Sequence, residues 1–217
     1  MALAIFDLDN TLINGDSDHA WGEFLCEKKI VDVAEYAAAN DLFYQHYLKG
    51  SLDMDAFLKF ALAPLKKYSM RELNQWHAEF MQIKVQPMLQ DKAMQTLAMH
   101  REQGDFILII TATNEFVTRP IGKLLGVDDL IATSPEIIGG EYTGNYVGIP
   151  CFQEGKISRL NQWLENSPQS LSGSYFYSDS RNDLPLLEIV DHPIVVDADQ
   201  YLSAIAAGRN WPNISFR

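Results

Sequence analysis

The sequence predicts an α/β protein, a parallel sheet with helices on both faces into which an all-helical segment is inserted, and three observations predict it. An apolar run, Ala4-Ile5-Phe6, ends in two carboxylates two residues apart, Asp7 and Asp9. From Pro87 onward, apolar runs of strand length alternate with helical stretches, the signature of βα units. Between the two, residues 14–85 keep a helical spacing of apolar residues, with no strand-and-turn alternation.

The first strand sets the site. In an extended backbone residues i and i+2 share a face, so Asp7 and Asp9 project together from the strand's carboxyl end, where open α/β sheets bind ligands. Two adjacent carboxylates repel, which requires a metal ion between them or a proton on one. Asn10-Thr11 marks a turn, and Asn14-Gly15-Asp16-Ser17 a break.

The insertion reads as a bundle of roughly four helices. Trp21, Phe24, Leu25 and Lys28 keep a three-to-four spacing, as do Phe57, Leu58, Ala61 and Leu65. Ser51 to Asp55 forms a helix start after Gly50, and Ser69 with Glu72 fits a capping box. Beyond it, a helix over 87–103 and Gly104 lead to a buried strand, Phe106 to Ile110. A helix over 115–125, a short strand from Leu130 to Ala132 and an irregular hairpin from Pro135 to Gly148 follow. A helix over 156–165, a strand from Tyr175 to Ser178, a helix over 184–190 and a last strand from Ile194 to Val196 complete the pattern.

The bulk properties narrow the partners. At 217 residues the chain makes one large domain, or a domain with a small insert. A net charge of −12 without a basic patch argues against a nucleic-acid backbone or an anionic membrane as partner. The two cysteines, Cys26 and Cys151, have no metal-ligand spacing and read as free thiols of a cytoplasmic protein. No basic n-region precedes the first strand, and no apolar run has membrane-spanning length. The oligomeric state is left open.

Three later segments carry polar groups to strand ends. Thr111 follows the strand 106–110, where a hydroxyl and the N–H groups of a helix start can meet a phosphoryl oxygen; capping the helix is the simpler role. Lys156, in Glu154-Gly155-Lys156-Ile157, sits unfavourably at a helix start unless a phosphate or buried carboxylate accompanies it; a solvated surface lysine is the alternative. Asp179 and Asp183, in Ser178-Asp179-Ser180-Arg181-Asn182-Asp183, straddle a strand-to-helix turn and offer hard oxygen ligands suited to Mg²⁺.

Together these segments resemble the motifs of the haloacid dehalogenase superfamily, over essentially the whole chain. Phe6 to Leu12 is similar to its Asp-x-Asp-x-Thr motif, and Thr111, Lys156 and Asp179 to Asp183 follow in the family's order. The nearest branch is that of the phosphoserine phosphatases, although Thr111-Ala112-Thr113-Asn114 departs from their Ser-Gly-Gly. The resemblance implies a Rossmann-like core, residues 1–13 and 86–217, under a helical cap, residues 14–85. It implies a phosphatase of amino-acid biosynthesis acting on a small phosphate ester. Asp7 would be the nucleophile that becomes an aspartyl phosphate, and Asp9 the general acid and base. Mg²⁺ would be held by Asp7, the Asp9 backbone carbonyl and Asp179, with Asp183 on its waters. Thr111, Lys156 and Asn182 would face the phosphate. Four carboxylates and a phosphate dianion against Mg²⁺ and one lysine leave an excess of negative charge, which a proton on Asp9 relieves.

Substrate choice rests on the insertion. Asp16 lies where the phosphoserine phosphatases carry an acidic residue facing the substrate amine, with capping of the following helix an equally good role for it, and Lys59 where an arginine grips the serine carboxylate. Lysine lacks the guanidinium fork. With eleven acidic against eight basic residues, the insertion suits a cationic amine. Histidinol phosphate is therefore ranked ahead of phosphoserine. A phosphotransferase on the same scaffold and a catalytically silent binding protein are the alternatives.

Overall fold

A computed structural model describes residues 2–217. Its strands are β1 (Leu3–Phe6), β2 (Phe106–Asn114), β3 (Asp129–Ile138), β4 (Glu141–Val147), β5 (Tyr175–Ser178), β6 (His192–Val196) and β7 (Asn213–Ile214). They form one sheet in the order β4-β3-β2-β1-β5-β6-β7, parallel except for the β3–β4 pair. The helices are α1 (Ser17–Glu27), α2 (Val33–Leu48), α3 (Met54–Lys67), α4 (Met70–Phe80), α5 (Asp91–Glu102), α6 (Glu115–Leu125), α7 (Glu154–Leu164), α8 (Leu184–Leu187) and α9 (Gln200–Arg209). None is long and apolar enough to cross a membrane among the described residues.

β1 lies at the centre, and its sequence is apolar without alternation because both faces are covered. Ala4 and Phe6 enter one core with Ile107, Ile109 and Val117, while Leu3 and Ile5 enter the other with Leu108, Leu160 and Leu202. β2 flanks it on one side and β5 on the other, so the chain reverses its direction of winding at β1 and opens a crevice at its carboxyl end.

Four helices, α1 to α4, occupy the insertion, each started by a side chain that accepts a backbone N–H: Asp16, Asp32, Asp53 and Ser69. The capping box of Ser69 and Glu72 forms as the spacing predicts. Trp21 and Phe24 of α1 pack against Phe80, and Trp21 also meets Phe116 of α6. This aromatic cluster is continuous with the sheet's core, so the inserted helices do not own a separate one.

The boundaries differ from the sequence reading at four places, each for a local reason. The chain leaves α4 through a π turn, Met81–Val85, and a 3₁₀ turn, Gln86–Met88. The expected helix over 87–103 then begins only at Asp91, because Leu89 bridges to Ile13 and Gln90 donates its side-chain amide to the Thr11 carbonyl. The two connections of the insertion thus run side by side, with the Asn14 N–H on the Met88 carbonyl at 2.8 Å. β2 continues past Ile110 through Thr111–Asn114 with an irregular register, as β-branched threonines allow. β3 and β4 make a long hairpin closed by Gly139 and Gly140, both at positive φ. β6 is not the last strand, since Asp199 caps α9 and β7 adds to the sheet edge.

Candidate active site

β1 ends against β5, with the Asp7 N–H on the Tyr177 carbonyl at 2.9 Å. The chain then folds back on itself: the N–H groups of Leu12 and Ile13 both reach the Leu8 carbonyl, and Asn10 takes φ +57°, a conformation asparagine tolerates. Both carboxylates are thereby drawn inside, Asp7 2% and Asp9 5% exposed.

Lys156 reaches Asp7 from the first turn of α7. A Cβ on the preceding residue, Gly155, would lie 2.1 Å from the Pro150 carbonyl oxygen, so only glycine lets the chain turn the lysine inward. Its ammonium donates to Asp7 Oδ1 at 2.8 Å and to Asp183 Oδ2 at 2.8 Å, and Ser178 Oγ also donates to Asp183. Burial alone would lower the Lys156 pKa, but Asp183 and Asp7 outweigh it and hold the group charged. Burial keeps the Asp7 carboxyl well above its ordinary range despite Lys156, and Asp183, Asp179 and Asp9 push the same way.

Asp9 is fixed by three donors: the Ser17 N–H at the start of α1 (2.6 Å), Thr113 Oγ1 (2.9 Å) and Thr111 Oγ1 (3.2 Å). Asp179 accepts from Thr11 Oγ1 at 3.0 Å, and burial followed by the Asp183 charge raises its pKa to about 7. Asp7 Oδ2, buried beside this group, has no hydrogen-bond partner among the described residues. A carboxylate oxygen without a partner and a neighbouring carboxylate raised by burial and then by the Asp183 charge are what a small divalent cation would relieve. Among the described residues no three His, Cys, Asp or Glu side chains are placed to hold a metal ion together. Mg²⁺ does not ask for three, since it binds through one or two carboxylates and keeps waters.

A narrow cavity opens on Asp7, Asp9 and Thr111 and runs under the inserted helices. Asp16 and Asp18 of the α1 start line it, together with Phe43, Tyr44 and Tyr47 of α2 and Phe57 of α3. Burial and then Asp9 push Asp16 up to about 7, and burial, Asp16 and Asp9 raise Asp18 well above the carboxylate range. Among the described residues no lysine or arginine lines the cavity, and its one basic side chain is His19.

The structure thus gathers Asp7, Asp9, Lys156, Asp179 and Asp183, with Asp16 at the cavity and also capping α1 through the His19 N–H. Three further candidates, Lys59, Asn182 and Thr111, stand differently. Lys59 is exposed on α3 and does not line the cavity, because the helix turns Phe57 inward instead. The Asn182 amide donates to the Tyr47 carbonyl (3.2 Å) and accepts from Gln153 (3.3 Å), a tie between α2 and the segment Ser178 to Asp183. Thr111 lines the cavity, and its hydroxyl donates to Asp9 Oδ2 at 3.2 Å. The sequence reading gave no role to Thr113, although on an extended β2 it shares the face of Thr111, and none to Asp18.

The model of a family described as haloacid dehalogenase-like hydrolase matches residues 4–188. A histidinol-phosphatase of Neisseria meningitidis serogroup C is 48% identical over 219 residues, covering 99% of each chain. A phosphoserine phosphatase of Mycobacterium tuberculosis is 29% identical, covering all of this chain and 71% of its own. Among solved structures, a protein of unknown function from Bordetella pertussis is 43% identical, with a TM-score of 0.93, covering 100% of this chain and 99% of that one. A substrate-bound phosphoserine phosphatase, at 16% identity and a TM-score of 0.69 over 100% of this chain and 93% of that one, shares the fold. The chain belongs to the haloacid dehalogenase-like hydrolase family, in its phosphatase branch.

Proposed function

We propose that the protein is a Mg²⁺-dependent phosphomonoesterase acting on a small amine-bearing phosphate ester, histidinol phosphate ahead of phosphoserine. The observation that carries the substrate choice is the cavity beside Asp7: two carboxylates, Asp16 and Asp18, aromatic walls, and no lysine or arginine. A cationic amine is attracted there, and the α-carboxylate of phosphoserine meets the like charge of Asp16 and Asp18, while the basic His19 of the lining is engaged by Asp41. The 48% identical histidinol-phosphatase supports the same order.

Asp7 Oδ2 is the free oxygen and attacks phosphorus, while Lys156 holds Oδ1 so that the other lone pair faces the substrate. Asp9 delivers a proton to the leaving alkoxide and later takes one from the water that hydrolyses the aspartyl phosphate. Ser17, Thr111 and Thr113 fix the rotamer from which it does both. Asp7, Asp179 and the Asp9 carbonyl would hold Mg²⁺, with Asp183 on its waters, and the ion supplies charge neutralisation at the phosphoryl oxygens. Residues 14–85 act as a cap on the core of residues 1–13 and 86–217, placing the aromatic face of α2 against the site and keeping bulk water out.

Side-by-side kcat/KM values for histidinol phosphate and phosphoserine, with Mg²⁺ and after chelation, test this reading. The expected result is a clear preference for histidinol phosphate that chelation abolishes, and a preference for phosphoserine overturns the substrate choice.

A further inference from the structure

The cavity holds one carboxylate more than the reaction and a single amine require. Asp18, two residues past the α1 cap Asp16, is 8% exposed and lines the same space. Asn114, the last residue of β2 and the cap of α6, donates its Nδ2 to Asp18 Oδ1 at 3.0 Å while its Oδ1 accepts the Val117 N–H at 3.3 Å. The cap fixes which end of the amide meets Asp18, so the carboxylate is held from the protein side by a neutral donor.

Its other charged neighbours, Asp16 and Asp9, have its own sign; among the described residues no lysine or arginine lines the space, and the one basic side chain there, His19, is engaged by Asp41 through Nε2 at 2.8 Å. A carboxylate kept buried on those terms costs free energy unless a charged donor completes it. Asp16 suffices for one ammonium. Asp7, whose Oδ2 has no hydrogen-bond partner among the described residues, lines the same cavity and marks the end where phosphorus would bind. Phe43, Tyr44 and Phe57 line the same cavity, flat surfaces that suit a planar or cationic group.

We propose that Asp18, oriented by Asn114, is a specificity-determining residue that accepts an N–H from a second nitrogen of the substrate, so that the preferred esters carry two separate basic nitrogens. Asn114 is the positioning residue. The inference deepens the function proposed above and rests on its placing the substrate amine in this cavity.

The test compares kcat/KM for histidinol phosphate, which has two basic nitrogens groups apart, with phosphoethanolamine, which has one, in the native enzyme, Asp18→Asn and Asn114→Ser. Asp18→Asn is isosteric and removes a buried charge, so the fold is not strained by it. Loss of a hydrogen bond to a charged group predicts a fall in the two-nitrogen to one-nitrogen ratio of about tenfold to a hundredfold, carried by KM for histidinol phosphate. Asn114→Ser keeps a capping hydroxyl but lacks the amide donor, and its ratio should fall in the same direction by a smaller factor. If the ratio stays at its native value in Asp18→Asn, both esters losing alike, Asp18 is structural and the inference is overturned. Failure of the parent reading looks different: phosphoserine would then outrun histidinol phosphate in the native enzyme, and the ratio in Asp18→Asn would still decide the role of Asp18.

Discussion

Replacing Lys156 by methionine removes the one buried cation of the site while keeping most of the side chain's volume. The ammonium is 2% exposed and touches two carboxylates, Asp7 at 2.8 Å and Asp183 at 2.7 Å. Removing one partner of a buried ion pair costs about 3–5 kcal/mol. For a chain of this size that is a fall in Tm of roughly 6–20 °C. The loss depends on pH, and its sign follows from Asp7. Burial already raises the folded-state pKa of Asp7, so its contribution to stability is present below the unfolded value and lost as pH rises through the folded one. Without the ammonium that pKa rises further, and the stability lost above it grows. In acid a proton stands in for the lysine. Urea unfolding of both proteins in a chelator, at about pH 5 and about pH 8 and extrapolated linearly, reads the deficit. A deficit below about 1 kcal/mol, or one equal at both pH values, would refute the buried-triad reasoning.

The other predictions address the same residues. In the chelated native protein, Asp16 and Asp179, both raised to about 7, should make stability highest in acid and falling as pH rises through 7; Mg²⁺ should flatten that fall, and a rise in stability from about pH 5 to about pH 8 would contradict it. Thr113→Val deletes a 2.9 Å hydrogen bond to Asp9, worth about 1.5–3 kcal/mol when the acceptor is charged, so kcat for an alkyl phosphate should fall roughly tenfold to a hundredfold, and an unchanged kcat would show that Asp9 does not need this support. Asp9→Asn should slow alkyl esters far more than p-nitrophenyl phosphate, whose leaving group scarcely needs a proton; equal slowing of the two would remove Asp9 from the acid role.

What the sequence reveals is what is local along the chain. The strand ending in Asp7 and Asp9 is legible because a two-residue period and a turn suffice to place both carboxylates. Asp179 and Asp183 are legible for a similar reason, lying within one strand-to-turn connection. Lys156 is flagged by an unfavourable position at a helix start, and Gly155 supplies the local cause of its inward turn. The contacts that escape are those made through space. The pairing of Leu89 with Ile13, which delays α5, joins residues on opposite sides of a helical insertion. The reach of Asn114 to Asp18 spans two elements, and only the packed α1 shows it. Lys59 misleads because the helix start after Gly50 does not determine which face of α3 turns inward, and that face is chosen by Leu58 and Leu62 in the core.

The account stands most directly on the covalent role of Asp7. Acid quenching of the enzyme during turnover of histidinol phosphate with Mg²⁺, followed by peptide mass spectrometry, should find one phosphoryl group on the peptide that contains Asp7. Asp7→Asn should fold, carry no label and turn over no ester. Phosphate attached to another residue, or turnover retained by Asp7→Asn, would contradict the account.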